Sequence, residues 1–198
     1  MENDNRYSFN YDSKERFISY WHQIHEILTT NPQNVLEVGI GNGFVSEYLI
    51  KNGVNITTVD LEQRLEPDVV GDIHSLPFAD SSFDAVSAFQ VLEHLPFDDF
   101  QKGIAELARI SRSHVLISLP HGRRYGNYKL PRIGEVLFPK LTGRWHLLSK
   151  EHFWELDYPG YKLKTVIGKI ESCGLNVEKT YRIFENPYHR IFVLREKK

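Results

Sequence analysis

Three glycines at alternate positions, Gly39, Gly41 and Gly43, follow the apolar run Val35-Leu36-Glu37-Val38. About twenty residues on, a second apolar run ends in an acid at Val59-Asp60. The chemistry open to this pattern is the binding of a nucleoside. Glycine has no Cβ, so a ligand can approach the main chain closely. An acid at the end of the next strand can accept hydrogen bonds from both hydroxyls of a ribose.

Spacing decides which nucleoside. A dinucleotide fingerprint needs a third glycine three residues after the second. Counted from Gly41 that place holds Phe44, and counted from Gly43 it holds Ser46. A G-x-x-x-x-G-K-[ST] phosphate loop is absent. What remains is E-x-G-x-G-x-G, with Glu37 just ahead of the glycines. A carboxylate there repels a diphosphate and welcomes a cation. S-adenosylmethionine, with a sulfonium, an ammonium and no phosphate, suits such a loop.

These residues need elements to hold them. Phe17, Tyr20, Trp21, Ile24, Ile27 and Leu28 recur at helical spacing, and Asn31-Pro32 ends that helix. Val35 to Val38 reads as a strand. Phe44, Val45, Tyr48 and Leu49 give a helix closed by Asn52-Gly53. Strands follow at Ile56 to Asp60, Val69-Val70 and Phe83 to Phe89. Asp98 and Asp99 favour the start of a helix with Phe100, Ile104, Leu107 and Ala108 on its buried face. Val115 to Leu119 is a fifth strand, ended by Pro120. Leu163, Val166, Ile167 and Ile170 mark a further helix stopped at Gly174. Two last strands, near Leu175 to Phe184 and His189 to Leu194, flank the turn signal Asn186-Pro187. Alternating strands and helices predict an α/β, doubly wound, Rossmann-like sheet of seven strands. The sheet is mostly parallel, with an antiparallel C-terminal hairpin strand.

Four motifs now stand in order: Glu37 to Gly43, Asp60, Gly71-Asp72-Ile73, and Phe83-Asp84-Ala85-Val86 running into Gln90-Val91-Leu92-Glu93-His94-Leu95. Together they resemble the class I S-adenosylmethionine-dependent methyltransferases, in the small-molecule, type 11-like branch that includes quinone-biosynthesis enzymes. The likeness is close from Asn34 to Leu119 and loose in the C-terminal hairpin. It implies that Glu37 and the Gly39, Gly41, Asn42 and Gly43 loop hold the methionine part of the cofactor. It implies that Asp60 holds the ribose, with Leu61 beside it, and that Asp72 and Ile73 flank the adenine. Gln90 and Val91 then lie beside the sulfonium, and Glu93 completes the set. One such acid alone reads as a solvated helix cap. Five polar groups at strand ends on one rim read as a site.

Methyl transfer to an activated carbon is mainly a matter of alignment and water exclusion. A base is needed where the acceptor must lose a proton, and His94 and His121 are the candidates, after the fourth and fifth strands. No metal site is expected, because His22 and His25 lack a third ligand and no H-E-x-x-H pattern occurs. Asn186-Pro187-Tyr188 resembles part of an amino-group methyltransferase signature but lies in the wrong place, and it reads as a hairpin turn.

The 198 residues form one domain, with a helical arm over 1–32 and a basic insertion over 121–160. The composition, 41% hydrophobic and 13% aromatic, is that of a globular chain. The lone Cys173 excludes an internal disulfide and suits a reducing compartment. The polar N-terminus is unlike a signal or transit peptide, and no apolar run spans a bilayer, so a cytoplasmic location is expected. The net charge of −2 hides an asymmetry: His121 to Lys150 carries seven basic residues against Glu135 alone, or +6. Ile133, Val136, Leu137 and Leu141 there have helical spacing, although Pro131 and Pro139 exclude one long helix. The insertion is expected to be partly helical and to cover the acceptor, with Tyr20, Trp21, Arg123, Arg124 and Tyr188 as substrate contacts.

Such a segment can also lie on an anionic membrane or meet nucleic acid. The expected activity is methylation of a small or lipid-like acceptor, anionic if the basic segment meets it. The rival readings are an RNA methyltransferase and a non-catalytic cofactor-binding partner. A pI near 6.5 speaks against nucleic acid, whose binding domains are usually basic throughout.

Overall fold

Strand order follows from which segments can be buried on both faces. The computed structural model describes residue 7 and residues 11–122, 125–132, 134–139 and 151–197. In chain order the strands are β1 (Asn34–Val38), β2 (Asn55–Asp60), β3 (Val69–Val70), β4 (Phe83–Phe89), β5 (Ser111–Pro120), β6 (Tyr125–Leu130), β7 (Gly134–Pro139), β8 (Leu175–Arg182) and β9 (His189–Glu196). The helices are α1 (Lys14–Thr29), α2 (Phe44–Lys51), α3 (Phe100–Ile110) and α4 (Leu163–Ser172). Seven strands form one sheet in the order β3-β2-β1-β4-β5-β9-β8. β9 pairs antiparallel with β5 on one side and β8 on the other, so it alone runs against the direction of the other strands. The doubly wound sheet with a C-terminal antiparallel strand is therefore as the sequence predicts.

Alternation along each strand feeds two cores. Leu36, Val38, Val86, Val115 and Ile117 pack on the side of α3 and α4. Val35, Ala85, Leu116, Ile191 and Val193 pack on the side of α1 and α2. Each such fully buried aliphatic side chain contributes roughly 1.5–3 kcal/mol, so the central strands are pinned in register. Asp84 adds a polar clamp: its carboxylate accepts from the Gln33 and Asn34 amides and pairs with Arg112. Those hydrogen bonds, the Gln33 amide first, hold its carboxyl below the usual range. The start of β1 is thereby tied to β4 beside it.

The insertion differs from expectation. Its residues 125–130 and 134–139 form the antiparallel hairpin β6–β7, not a helix. The apolar spacing fits a helix on paper, but Val136, Leu137 and Phe138 are consecutive, and β-branched and aromatic residues favour a pleated surface. The prolines decide the rest. Pro131 sits in the turn, next to Arg132 at φ 66°, and Pro139 ends β7. Ile133, Leu141, Lys140, Arg144 and Trp145 lie outside the described residues.

After the insertion the chain returns through residues 151–157 and is clasped to the loop following β4. The Phe153 amide donates to the Glu93 carbonyl at 2.9 Å, and the Trp154 indole donates to the Leu95 carbonyl at 3.1 Å. Trp154 is fully buried against Phe97 and Phe100. No helix among the described residues is long and apolar enough to cross a membrane.

Candidate functional site

The carboxyl ends of β1, β2 and β4 open on a cavity of about 520 Å³. Its floor is the turn after β1. Gly39 lies at φ 82°, and a Cβ there would stand 2.4 Å from Cγ2 of Val91. Glycine is therefore required twice over, by the left-handed backbone and by the approach of the β4 loop. The Asp60 carboxylate braces this turn. One oxygen accepts from the Ile40 amide at 3.0 Å, and the other accepts from the Glu62 amide at 2.9 Å. A carboxylate has about four acceptor positions, so Asp60 keeps capacity on both oxygens for ligand hydroxyls.

Glu37 also lines the cavity and is 4% exposed. Its Oε2 has no hydrogen-bond partner. Burial pushes its carboxyl up to about 8, and a hydrogen bond with Ser46 opposes the shift only in part. A buried acceptor without a partner is costly. A cationic ligand group would supply what is missing.

Asp72 lies on the far wall, accepting from the His74 amide at 2.9 Å and facing the His74 ring at 2.7 Å. Those bonds, the backbone one foremost, pull its carboxyl below the usual range. Gln90 holds φ 56°, and its amide nitrogen donates to the Ser118 hydroxyl at 3.0 Å. The N-terminal arm forms the opposite wall with Tyr7, Tyr11, Arg16 and Tyr20. It is latched to the glycine turn through Asp12, which accepts from the Tyr20 hydroxyl at 2.8 Å and from the Asn42 amide at 3.0 and 3.1 Å.

Of the residues singled out from the sequence, the cavity gathers Glu37, Gly39, Gly41, Asn42, Asp60, Leu61, Asp72, Ile73, Gln90, Val91, His94 and Tyr20. Gly43, Glu93, His121, Trp21 and Tyr188 are not among its described lining residues. Gly43 caps α2 at φ 74°. Glu93 is fully buried behind the loop. Trp21 is 59% exposed, stacks on His25, and lines a separate outer hollow with Tyr181 and Phe184. The Tyr188 hydroxyl donates to Glu155 at 2.7 Å. Arg123 and Arg124 lie outside the described residues.

His121 is 3% exposed and has both ring nitrogens engaged within the fold. The Arg190 guanidinium donates to Nδ1 at 3.1 Å, so Nε2 carries the proton and donates to Asp157 at 2.8 Å. Burial drives the ring down to about 4, against the pull of Asp157. The contact with Asp157 is thus a neutral hydrogen bond, not an ion pair.

Several lining residues escaped the sequence reading, Tyr11, Arg16 and His189 among them. Tyr11 and Arg16, joined by a hydrogen bond and a cation–π contact, carry no motif. His189 begins β9 and reaches the cavity from the antiparallel strand. It is fully buried, its Nδ1 has no partner, and burial drives the ring down to about 3. It is a neutral imidazole at neutral pH. Only its place just after the Asn186-Pro187 turn hinted that it would stand at the ligand side.

Comparison with known proteins agrees with this architecture. Residues 36–118 match the model of a methyltransferase domain family. Demethylmenaquinone methyltransferase from Thermotoga maritima is 31% identical over 119 residues, covering 50% of this chain and 51% of that protein. The enzyme of the same name from Corynebacterium efficiens is 35% identical over 88 residues, covering 40% of this chain and 37% of that one. The chain spans about half the length, or less, of these curated relatives. Among solved structures, an S-adenosylmethionine-dependent methyltransferase from Clostridium acetobutylicum superposes with a TM-score of 0.68 at 14% identity, over 98% of this chain and 99% of that one. A Burkholderia thailandensis 1,6-didemethyltoxoflavin-N1-methyltransferase, solved with its acceptor and S-adenosylhomocysteine, gives 0.62 at 15% identity, over 93% of this chain and 80% of that one. The chain thus shares the Rossmann-like fold of these solved methyltransferases, and residues 36–118 carry its likeness to the methyltransferase domain family.

Proposed function

We propose that this chain binds S-adenosylmethionine in the cavity at the ends of β1, β2 and β4 and transfers its methyl group to a small-molecule acceptor. One observation carries the reading above all: a buried Glu37 carboxyl oxygen without a partner faces the same cavity as the two-armed acceptor Asp60. The first suits an ammonium, the second a pair of ribose hydroxyls. Nothing on that floor suits a diphosphate. In this reading Asp72 and Ile73 border the adenine, and Gln90 and Val91 border the reacting end; all four line the cavity.

The cofactor supplies an activated methyl carbon on a sulfonium. The protein's share is orientation and exclusion of water. Gly39 lets the ligand meet the main chain. The arm, held by Asp12, closes one side. Where the acceptor must lose a proton, His94 is the lining histidine on the β4 loop, and neutral His189 stands on the β9 side.

The acceptor is small, by likeness to relatives named for a menaquinone precursor and a neighbour solved with a toxoflavin precursor. The excess of basic residues over His121 to Lys150 favours an anionic or lipid-like acceptor, or contact with an anionic membrane surface. None of the described residues of 121–160 lines the cavity. A cytoplasmic setting fits the single cysteine.

Calorimetry tests the reading. S-adenosylmethionine and S-adenosylhomocysteine should bind in the micromolar range, and NAD should not bind. Charge-assisted hydrogen bonds are worth roughly 1.5–3 kcal/mol each, so Asp60→Ala should weaken cofactor binding tenfold or more. Tight NAD binding, or unchanged affinity in a folded Asp60→Ala protein, overturns it.

A further inference from the structure

Behind the cavity wall lies a second cluster, of which only His94 lines the cavity itself. Glu93 is fully buried, and neither carboxylate oxygen has a hydrogen-bond partner. Glu93, His94 and His152 each present a ligand atom within 4.8 Å of the others. His152 comes from the return segment, which the Phe153–Glu93 backbone hydrogen bond holds against the loop. The sequence offers no such spacing, because the two histidines stand 58 positions apart.

The surroundings of the two imidazoles are those of metal ligands. His94 Nδ1 lies 2.9 Å from the Glu151 carbonyl oxygen. A carbonyl only accepts, so Nδ1 carries the proton and Nε2 is the basic nitrogen. His152 Nδ1 lies 3.0 Å from Oε1 of Glu155, an acceptor that also takes the Tyr188 hydroxyl proton at 2.7 Å. Its basic nitrogen is again Nε2. Metal-bound histidines show this arrangement, with the far ring N–H donated to a carbonyl or carboxylate that fixes the ring. Glu93 supplies the anionic oxygen, and a cation would meet the need that burial leaves on it.

We propose that Glu93, His94 and His152, oriented by Glu155, the Glu151 carbonyl and Tyr188, bind a divalent first-row transition-metal ion. Two imidazoles and a carboxylate select such an ion over Mg²⁺ and Ca²⁺, which prefer oxygen. Three protein ligands leave coordination positions open. His94 lines the cavity while Glu93 lies behind it, so the site borders the space where an acceptor would sit. Ion binding itself does not depend on the methyl-transfer reading.

The test is calorimetry on EDTA-stripped, dialysed protein with ZnCl₂, MnCl₂ and MgCl₂. One Zn²⁺ should bind per chain, with Mg²⁺ at least about tenfold weaker. His152→Ala and Glu93→Gln should each weaken Zn²⁺ binding at least about tenfold, on the scale set by losing one ligand or its support. Circular dichroism on both variants reports folding, and the half-buried His152 provides the safer of the two. Absence of ion binding in the wild type overturns the proposal. So does Zn²⁺ binding of equal affinity in folded His152→Ala, which would place the ion elsewhere.

Discussion

The rim at β1 and β2 and the pocket behind the β4 loop both bury a glutamate, and they treat it differently. Around Glu37 everything is local: Asp60 braces the Gly39 turn from about twenty residues away, and Ser46 sits in the next helix. Around Glu93 only His94 is local, and His152 and Glu155 arrive from the far side of the insertion. Burial pushes the Glu37 and Glu93 carboxyls up to about 8, with the Glu155 carboxylate adding to the effect at Glu93. A ligand-binding acid can thus be built by a short motif or by long-range docking. Only the first leaves a trace in spacing.

The comparison breaks most readily at Gly39, where the two regions touch. Gly39→Ala puts a Cβ within 2.4 Å of the Val91 side chain at φ 82°. Left-handed backbone and overpacking together cost about 2–4 kcal/mol. We expect thermal unfolding to show that loss and cofactor affinity to fall a hundredfold or more. Adding Val91→Ala should restore part of the stability. If the double variant is no better than the single, steric contact between the turn and the β4 loop is not what demands the glycine.

Much of the first region was legible beforehand. The glycines, Asp60 and Asp72 stand where strand ends put them, because a parallel sheet gathers its carboxyl ends on one rim. The C-terminal hairpin followed from turn signals, and the α1 face followed in part: Tyr20, Ile24 and Ile27 are buried, while Phe17, Trp21 and Leu28 are exposed. The insertion was misjudged because helical spacing over Ile133 to Leu141 competes with β-favouring residue types, and tertiary pairing decides such short runs. Trp21 was expected on the ligand side with Tyr20, as part of one apolar helix face. On a helix, however, adjacent residues point about 100° apart, and only Tyr20 turns inward. Tyr11, Arg16 and His189 were invisible because their roles come from chain docking, not from motif.

A second prediction sharpens the contrast through pH. Between about pH 4.5 and 8 the folded state holds a proton on Glu37 that the unfolded chain has released. Stability contributed by this group therefore falls as pH rises through that window. A cation in the cavity favours the carboxylate, so binding should release a proton. Affinity for S-adenosylhomocysteine should climb toward pH 8, by up to about tenfold per unit, and then level off. Glu37→Gln should flatten the climb. Calorimetry in buffers of different ionisation heat counts the protons, and none released at pH 7 would detach Glu37 from the ligand.

The smallest effect concerns the arm, which belongs to the first region by contact but not by motif. Asp12 takes hydrogen bonds from Tyr20 and Asn42, and Tyr20 stacks on Phe44 at 5.1 Å. Burial, with Asp12 beside it, pushes the Tyr20 hydroxyl well above the usual range, so it stays a donor at every physiological pH. Asp12→Ala removes the shared acceptor and leaves the aromatic contacts. A lost hydrogen bond of this kind is worth about 1 kcal/mol. That is enough to open the arm more often and too little to unfold the sheet. Hydrogen exchange should quicken over residues 11–20 and stay unchanged in β1, β4 and β5, while cofactor affinity drops several-fold. The glycine turn itself should hold, because Asp60 braces it independently. Faster exchange spreading into β1 would mean that the arm and the turn form one cooperative unit, and the line between motif-built and docking-built parts of the site would have to be drawn further out.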